Sequence, residues 1–145
     1  MDLAQKIAVF AAGGFFLAGL SFGVWKYAQI ARSPKAQASA YVDIAHRAAL
    51  MYAFACLVVE RFVHLSALDA TVELVAVVAQ VGFFAFGLST YVIHGLLRDT
   101  DNQFARPHKL GRAELPPALM VASMVALVAG ELGGFAVLFW GALIA

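Results

Sequence analysis

Four residues pair a proton-handling or metal-binding side chain with a place in, or at the rim of, a long apolar run: His46, Tyr52, His94 and Glu131. Glu131 lies near the middle of the last run. An ionised carboxylate at membrane depth is costly, so it is either neutral, paired or functional. Two readings stand side by side: a protonated glutamate that hydrogen-bonds helices together, and a proton donor or cofactor neighbour. His46 opens the second run and His94 closes the third. Those runs are antiparallel, which puts both imidazoles at similar depth near one surface. Neutral imidazole is a ligand for haem iron, so either histidine is a candidate axial ligand, and so is the pair. The plain alternative is a pair of interfacial histidines bonded to headgroups or neighbours. Asp43, three residues before His46, could orient that ring through its second nitrogen, or simply cap the helix. Tyr52 follows His46 by six residues, about 1.7 turns, which turns it away from the histidine's face and deeper into the membrane.

The elements that must position these groups are apolar helices. Of 145 residues, 63% are hydrophobic and 13% charged, against roughly half and a quarter in soluble domains. The excess falls in four runs, about 7–31, 44–68, 71–97 and 116–145. Each exceeds the roughly 20 residues that cross a bilayer as a helix, and none alternates as a barrel strand would. The expectation is an all-α, up-and-down bundle of four transmembrane helices forming a single domain, with a polar loop at 98–115. Ala38-Ser39-Ala40 faintly resembles a signal cleavage site, but the first run is too long for a signal peptide and reads as a retained helix.

Eight of the ten basic residues (Lys26, Arg32, Lys35, Arg47, Arg98, Arg106, Lys109 and Arg112) flank the first and third loops. That asymmetry predicts cytoplasmic loops and outward termini, in a membrane expected to be a bacterial inner membrane. The single cysteine, Cys56, reads as a buried filler. No zinc spacing, phosphate loop or nucleic-acid-binding stripe is present, and a transporter lacks the paired helix interruptions it would need.

Other polar residues give smaller expectations. Ala122, Ala126, Gly130 and Gly134 recur every four residues and predict a face for close helix packing, within the chain or against another subunit. Gln80 predicts an interhelical hydrogen bond, and Tyr91 a place in the aromatic belt. Glu60, Arg61, His64 and Glu73 read as an ion-pair cluster, with a metal site as the sharper alternative. In the third loop, Asp99, Asp101 and His108 could bind a divalent ion, although their spacing is not that of a calcium loop. That loop either caps the bundle, docks a partner, or is a solvated turn.

The layout as a whole resembles a known family. The first run ends in Leu20-Ser21-Phe22-Gly23-Val24-Trp25, Ala45-His46 begins the second, and the third carries Val81-Gly82-Phe83-Phe84. In this the chain resembles the small four-helix membrane isomerases typified by styrene oxide isomerase and, more distantly, hydroxylaminobenzene mutase. The resemblance implies haem b held by His46, a homo-oligomer (a trimer in that family), and a small apolar epoxide-type substrate drawn from the membrane lipid. Ferric iron would act as a Lewis acid on the substrate oxygen, with no net redox change. Two positions depart from the family. Its asparagine six residues after the histidine is matched by Tyr52, and the tyrosine of its Val-Gly-Phe-Tyr segment by Phe84. On this reading Tyr52 and Glu131 are the candidate catalytic groups, and His46 and His94 the candidate haem-binding ones. The competing expectations are a bis-histidine haem protein for electron transfer or sensing, and a non-enzymatic membrane subunit or scaffold.

Overall fold

The structure is a computed structural model that describes residues 1–145. It contains four long helices, α1 (Leu3–Arg32), α2 (Ala40–Leu65), α3 (Ala70–Leu97) and α4 (Pro117–Leu143), each long and apolar enough to cross a membrane. The fold is the expected transmembrane four-helix bundle. Helix ends move by a few residues from the hydropathy limits: α1 and α2 start earlier, and α2 and α4 end earlier. Asp2 and Gln5 form a reciprocal capping box that starts α1 before its apolar run. α2 also starts a turn early, although the Ser39 side chain makes no capping bond, so Asp43 falls inside its first turn. Ser66 closes α2, and Asp69 caps α3 by accepting from the Thr71 N–H at 2.8 Å.

Helices α2 and α3 each pack against all three others, so the cross-section is a rhombus with α1 and α4 at its far corners. The most extensive contact is α1 on α2. It is built from alanines at four-residue spacing: Ala4, Ala8 and Ala12 face α2, while Ala45, Ala49 and Ala53 are buried on α2 itself. In lipid, burying apolar surface gains little, and small side chains that let backbones approach take over the work of association. Large apolar side chains point outward instead: Phe10 is 77% exposed and Leu132 69%. Cys56 is buried in the core between α1, α2 and α3, as expected of a small filler.

The small-residue stripe of α4 is used over only half its length. Gly134 packs on α3, where a Cβ would come within 2.9 Å of the Ala76 carbonyl oxygen and of Gln80 Cγ. A Cβ on Gly130 would collide with the Phe83 ring. Ala126 and Ala122, one and two turns earlier, are exposed. The amide of Gln80 makes no hydrogen bond to another helix; it donates to the Ala76 carbonyl one turn back, at 3.2 Å.

The third loop folds into a compact cap carrying a short antiparallel hairpin, β1 (Lys109–Leu110) with β2 (Ala113–Glu114). Its two-residue turn has Gly111 at φ 63°, a conformation that favours glycine.

Gly134→Val should therefore destabilise the detergent-solubilised protein by about 1–3 kcal/mol, the usual cost of overpacking. Gly133, with nothing within 4 Å of its virtual Cβ, should accept alanine with no loss. Thermal unfolding followed by circular dichroism compares the two.

Candidate functional site

The site is built from the C-terminus of α3 outward. Arg98 ends that helix in the left-handed region (φ 51°), its N–H donating to the His94 carbonyl at 2.8 Å. The reversal brings Asp99 back beneath His94. Oδ1 of Asp99 lies 2.8 Å from His94 Nδ1, and both side chains are only 5% exposed. Oδ2 accepts from the Gly111 N–H at 2.6 Å. One carboxylate thus ties α3 to the turn of the hairpin above it. Burial pushes the Asp99 carboxyl up, but the bonds from His94 and Gly111 outweigh it and hold it below the usual carboxylate range.

A second set of bonds fixes the rest of the cap. The Tyr41 ring of α2 lies against His94, with centroids 5.0 Å apart, and stacks on Tyr91. Its hydroxyl oxygen accepts from the backbone N–H of Gln103. The buried His108 donates from Nδ1 to the Gln103 carbonyl at 3.1 Å, and its own carbonyl accepts from the Leu115 N–H at 2.7 Å. Loop 98–115 is an ordered lid.

Beneath it, α4 stands away from α3 above Gly130, leaving a cavity of about 630 Å³. Its wall is mostly apolar, with Phe86, Leu119, Met120, Met124 and Leu127 among its members, and Gln103 and Phe104 of the lid close the top. Three ionisable or hydroxyl-bearing groups singled out in the sequence border it from three helices: Tyr52 of α2, His94 of α3 and Glu131 of α4. Tyr91, expected from the sequence in the aromatic belt, borders the cavity with them. Tyr52 lies flat on Phe84, with ring centroids 4.6 Å apart and planes 12° apart. Its hydroxyl fits where Gly87 carries no side chain, 3.3 Å from the position a Cβ would take. Glu131 keeps one buried oxygen, Oε1, without a hydrogen-bond partner. Unpartnered buried oxygens are uncommon in folded proteins.

His46 is elsewhere. It lies in the groove between α1 and α2 and is absent from the cavity wall. Its Nδ1 is 2.8 Å from the Gly19 carbonyl oxygen, an acceptor, so Nδ1 carries the proton and Nε2 of the neutral ring is bare. Gly23 gives the ring its room, since a Cβ there would come within 3.0 Å of Cε1. The His46 ring thus rests on the Leu20–Trp25 segment. Of the four sequence candidates, the structure gathers Tyr52, His94 and Glu131 around one space and sets His46 apart.

The smaller expectations fare unevenly. Asp43 does not orient His46; it bridges Lys26 and Arg47, both at 2.6 Å. Glu60, Arg61, His64 and Glu73 form no ion pair, and His64 is instead 3.2 Å from the Gln5 amide of α1. No group of three metal-ligating side chains occurs, so Asp99, Asp101 and His108 do not converge. The sequence reading missed Asp99 as a partner of His94, and it missed Tyr41 and Gln103. The available signal was Leu110-Gly111-Arg112, a hairpin turn signature that marks the loop as folded. No protein-family model, curated protein or solved structure matches this chain.

Replacing Asp99 with asparagine leaves a single oxygen for two donors and should cost about 1–3 kcal/mol. Because the folded-state value is lowered, the stability due to the ionised carboxylate is complete above its unfolded value of about 4 and is lost as pH falls through the folded value. The gap in melting temperature between wild type and Asp99→Asn should therefore be widest above pH 4 and narrow as the medium is acidified below it.

Proposed function

We propose that this chain is a membrane isomerase that takes a small apolar, oxygen-containing molecule from the bilayer into the α3–α4 cavity and rearranges it without net redox change. The observation that carries this reading is the convergence of Tyr52, His94 and Glu131 on an otherwise apolar space of about 630 Å³, within the roughly 300–1,000 Å³ of small-molecule sites. Apolar walls with a few converging polar groups suit a substrate that dissolves in lipid and has one oxygen to be recognised. Bound water would have few partners there.

The resemblance to the styrene oxide isomerases supports the reaction class, and one contact strengthens it. The two positions at which the chain departs from that family, Tyr52 and Phe84, lie stacked on each other. The family's tyrosine hydroxyl is missing from the third helix, but a hydroxyl from the second helix enters the same neighbourhood. In this proposal the Tyr52 hydroxyl donates a hydrogen bond to the substrate oxygen. His94, its Nδ1–H held by Asp99, presents a bare Nε2 that can accept a proton and return it to another atom of the same substrate. Glu131, in its neutral form, donates to the oxygen that gathers charge.

Haem b is part of the proposal through His46. A backbone carbonyl on Nδ1–H and a free Nε2 suit an axial ligand. Iron held there would be a Lewis acid but would lie in the α1–α2 groove, apart from the cavity, so the steps assigned to Tyr52, His94 and Glu131 do not pass through it. His94 has the same arrangement, with Asp99 in place of the carbonyl, and it alone of the two faces the cavity. A homo-oligomer is proposed on the same resemblance. The clustering of eight basic residues at the lid end supports a cytoplasmic lid in a bacterial inner membrane.

The test is conversion of a small aryl epoxide to its aldehyde by the purified protein, followed by gas chromatography, alongside the absorption spectrum of the same sample. Turnover with a Soret band lost in His46→Ala supports both parts. Turnover without colour keeps the isomerase and removes the haem. Colour lost with either histidine and no turnover favours the bis-histidine alternative. A colourless, inactive protein leaves the scaffold reading.

Tyr52→Phe should lower turnover by about a hundredfold, as loss of one preorganised donor does. Adding Phe84→Tyr should restore part of it, because the hydroxyl returns to the opposite ring of the same stack.

A further inference from the structure

A second hollow, of about 420 Å³, lies where the α1–α2 connection meets the residue that follows α3. Its wall contains Trp25, Gln29 and Arg32 of α1, Ser39 at the head of α2, and Arg98. Unlike the first cavity it is largely polar, and no carboxylate borders it.

What distinguishes it is a shortage of acceptors. The Ser39 N–H takes the Gln29 side-chain oxygen at 2.9 Å, which leaves Gln29 Nε2 buried with no partner. Ser39 Oγ is also buried and unpartnered, although serine at a helix start ordinarily bonds the first-turn N–H groups. The neighbouring carboxylates are already committed, Asp43 to Lys26 and Arg47, and Asp99 to His94 and Gly111. Arg32 and Arg98 have no carboxylate partner. Two guanidinia, an orphaned amide NH₂ and a free hydroxyl around one hollow ask for a ligand made of oxygen acceptors and carrying negative charge.

We infer that this hollow binds a phosphate group, presented by an anionic lipid headgroup or as the free ion. Guanidinium matches phosphate oxygens in pairs. Trp25 stands at the level where indoles meet headgroups. The inference is independent of the isomerase reading, since none of these residues borders the first cavity.

Trp25 is also the reporter. The chain has two tryptophans, and the other, Trp140, is exposed on α4, so Trp140→Phe leaves one indole at the hollow. The full chain in a neutral maltoside detergent is titrated with inorganic phosphate, with short-chain phosphatidylglycerol, and with a diacylglycerol of the same chain length that lacks phosphate. Trp25 emission should change saturably. A response to phosphate alone identifies the free ion as the source, and a response to phosphatidylglycerol without one to diacylglycerol identifies the headgroup.

Arg32→Gln with Arg98→Gln should weaken the response about tenfold or more, the scale of lost charge-assisted bonds. Ser39→Ala should weaken it less, and it costs the fold nothing because the hydroxyl has no partner. Arg106→Gln with Arg112→Gln removes the same charge from the same end of the bundle outside the hollow and should leave the response intact. No response to either phosphate source, an equal response to diacylglycerol, or an equal loss in the Arg106/Arg112 variant would overturn the proposal.

Discussion

The two oxygens of Asp99 join a membrane helix to the segment that covers it. One holds the Nδ1–H of His94 and the other the N–H of Gly111, so the lid and the imidazole beneath it cannot be positioned independently. Everything else at that end of the bundle is arranged around this bridge. The left-handed residue Arg98 exists to turn the chain back toward His94, and the hairpin delivers Gly111 to meet it. Tyr41 lies against the imidazole and takes the backbone of Gln103. A carboxylate this enclosed is tolerable only because both of its oxygens are hydrogen-bonded. The arrangement that satisfies the charge is the same one that fixes the roof of the cavity.

The bundle itself was legible because hydropathy over 20 or more residues is a strong signal and lipid allows few alternatives. The limits of the helices were less so. Caps such as Asp2 with Gln5 are polar, so a hydropathy profile places them outside the element they begin. The alanine faces of α1 and α2 were hidden differently. Ala4, Ala8 and Ala12 are no more unusual in composition than their neighbours, and only the partner helix reveals which alanines carry the packing. The α4 stripe was visible, but its register gave no hint that α3 uses Gly130 and Gly134 and leaves Ala122 and Ala126 free.

At the site, residue type pointed to the right side chains more readily than to their partners. Glu131, His94 and Tyr52 stood out because polar groups in apolar runs are scarce. That they share one space could not be read from spacing, since it depends on how far α4 leans. Asp99 was read with Asp101 and His108 as a candidate divalent-ion site, and Asp43 as either a partner for His46 or a helix cap. Local sequence distance favoured the second pairing, whereas the structure satisfies His46 with a carbonyl 27 residues away. Pairings between elements are set by helix rotation, to which sequence separation is blind.

The uneven contact between α3 and α4 has a mechanical meaning. At Gly130 and Gly134 the two helices meet closely, and a Cβ there would strike Phe83 or the Ala76 carbonyl and Gln80. On the lid side of Gly130 the cavity separates them over part of their length, and the lid lies across it. Gly130 therefore marks the boundary between close backbone contact and the cavity. Under the proposed function, a molecule dissolved in the lipid would reach the cavity sideways, between α3 and α4 on the lid side of Gly130. Such a doorway would answer to the lateral pressure and thickness of the surrounding bilayer more than to anything dissolved in the aqueous phase.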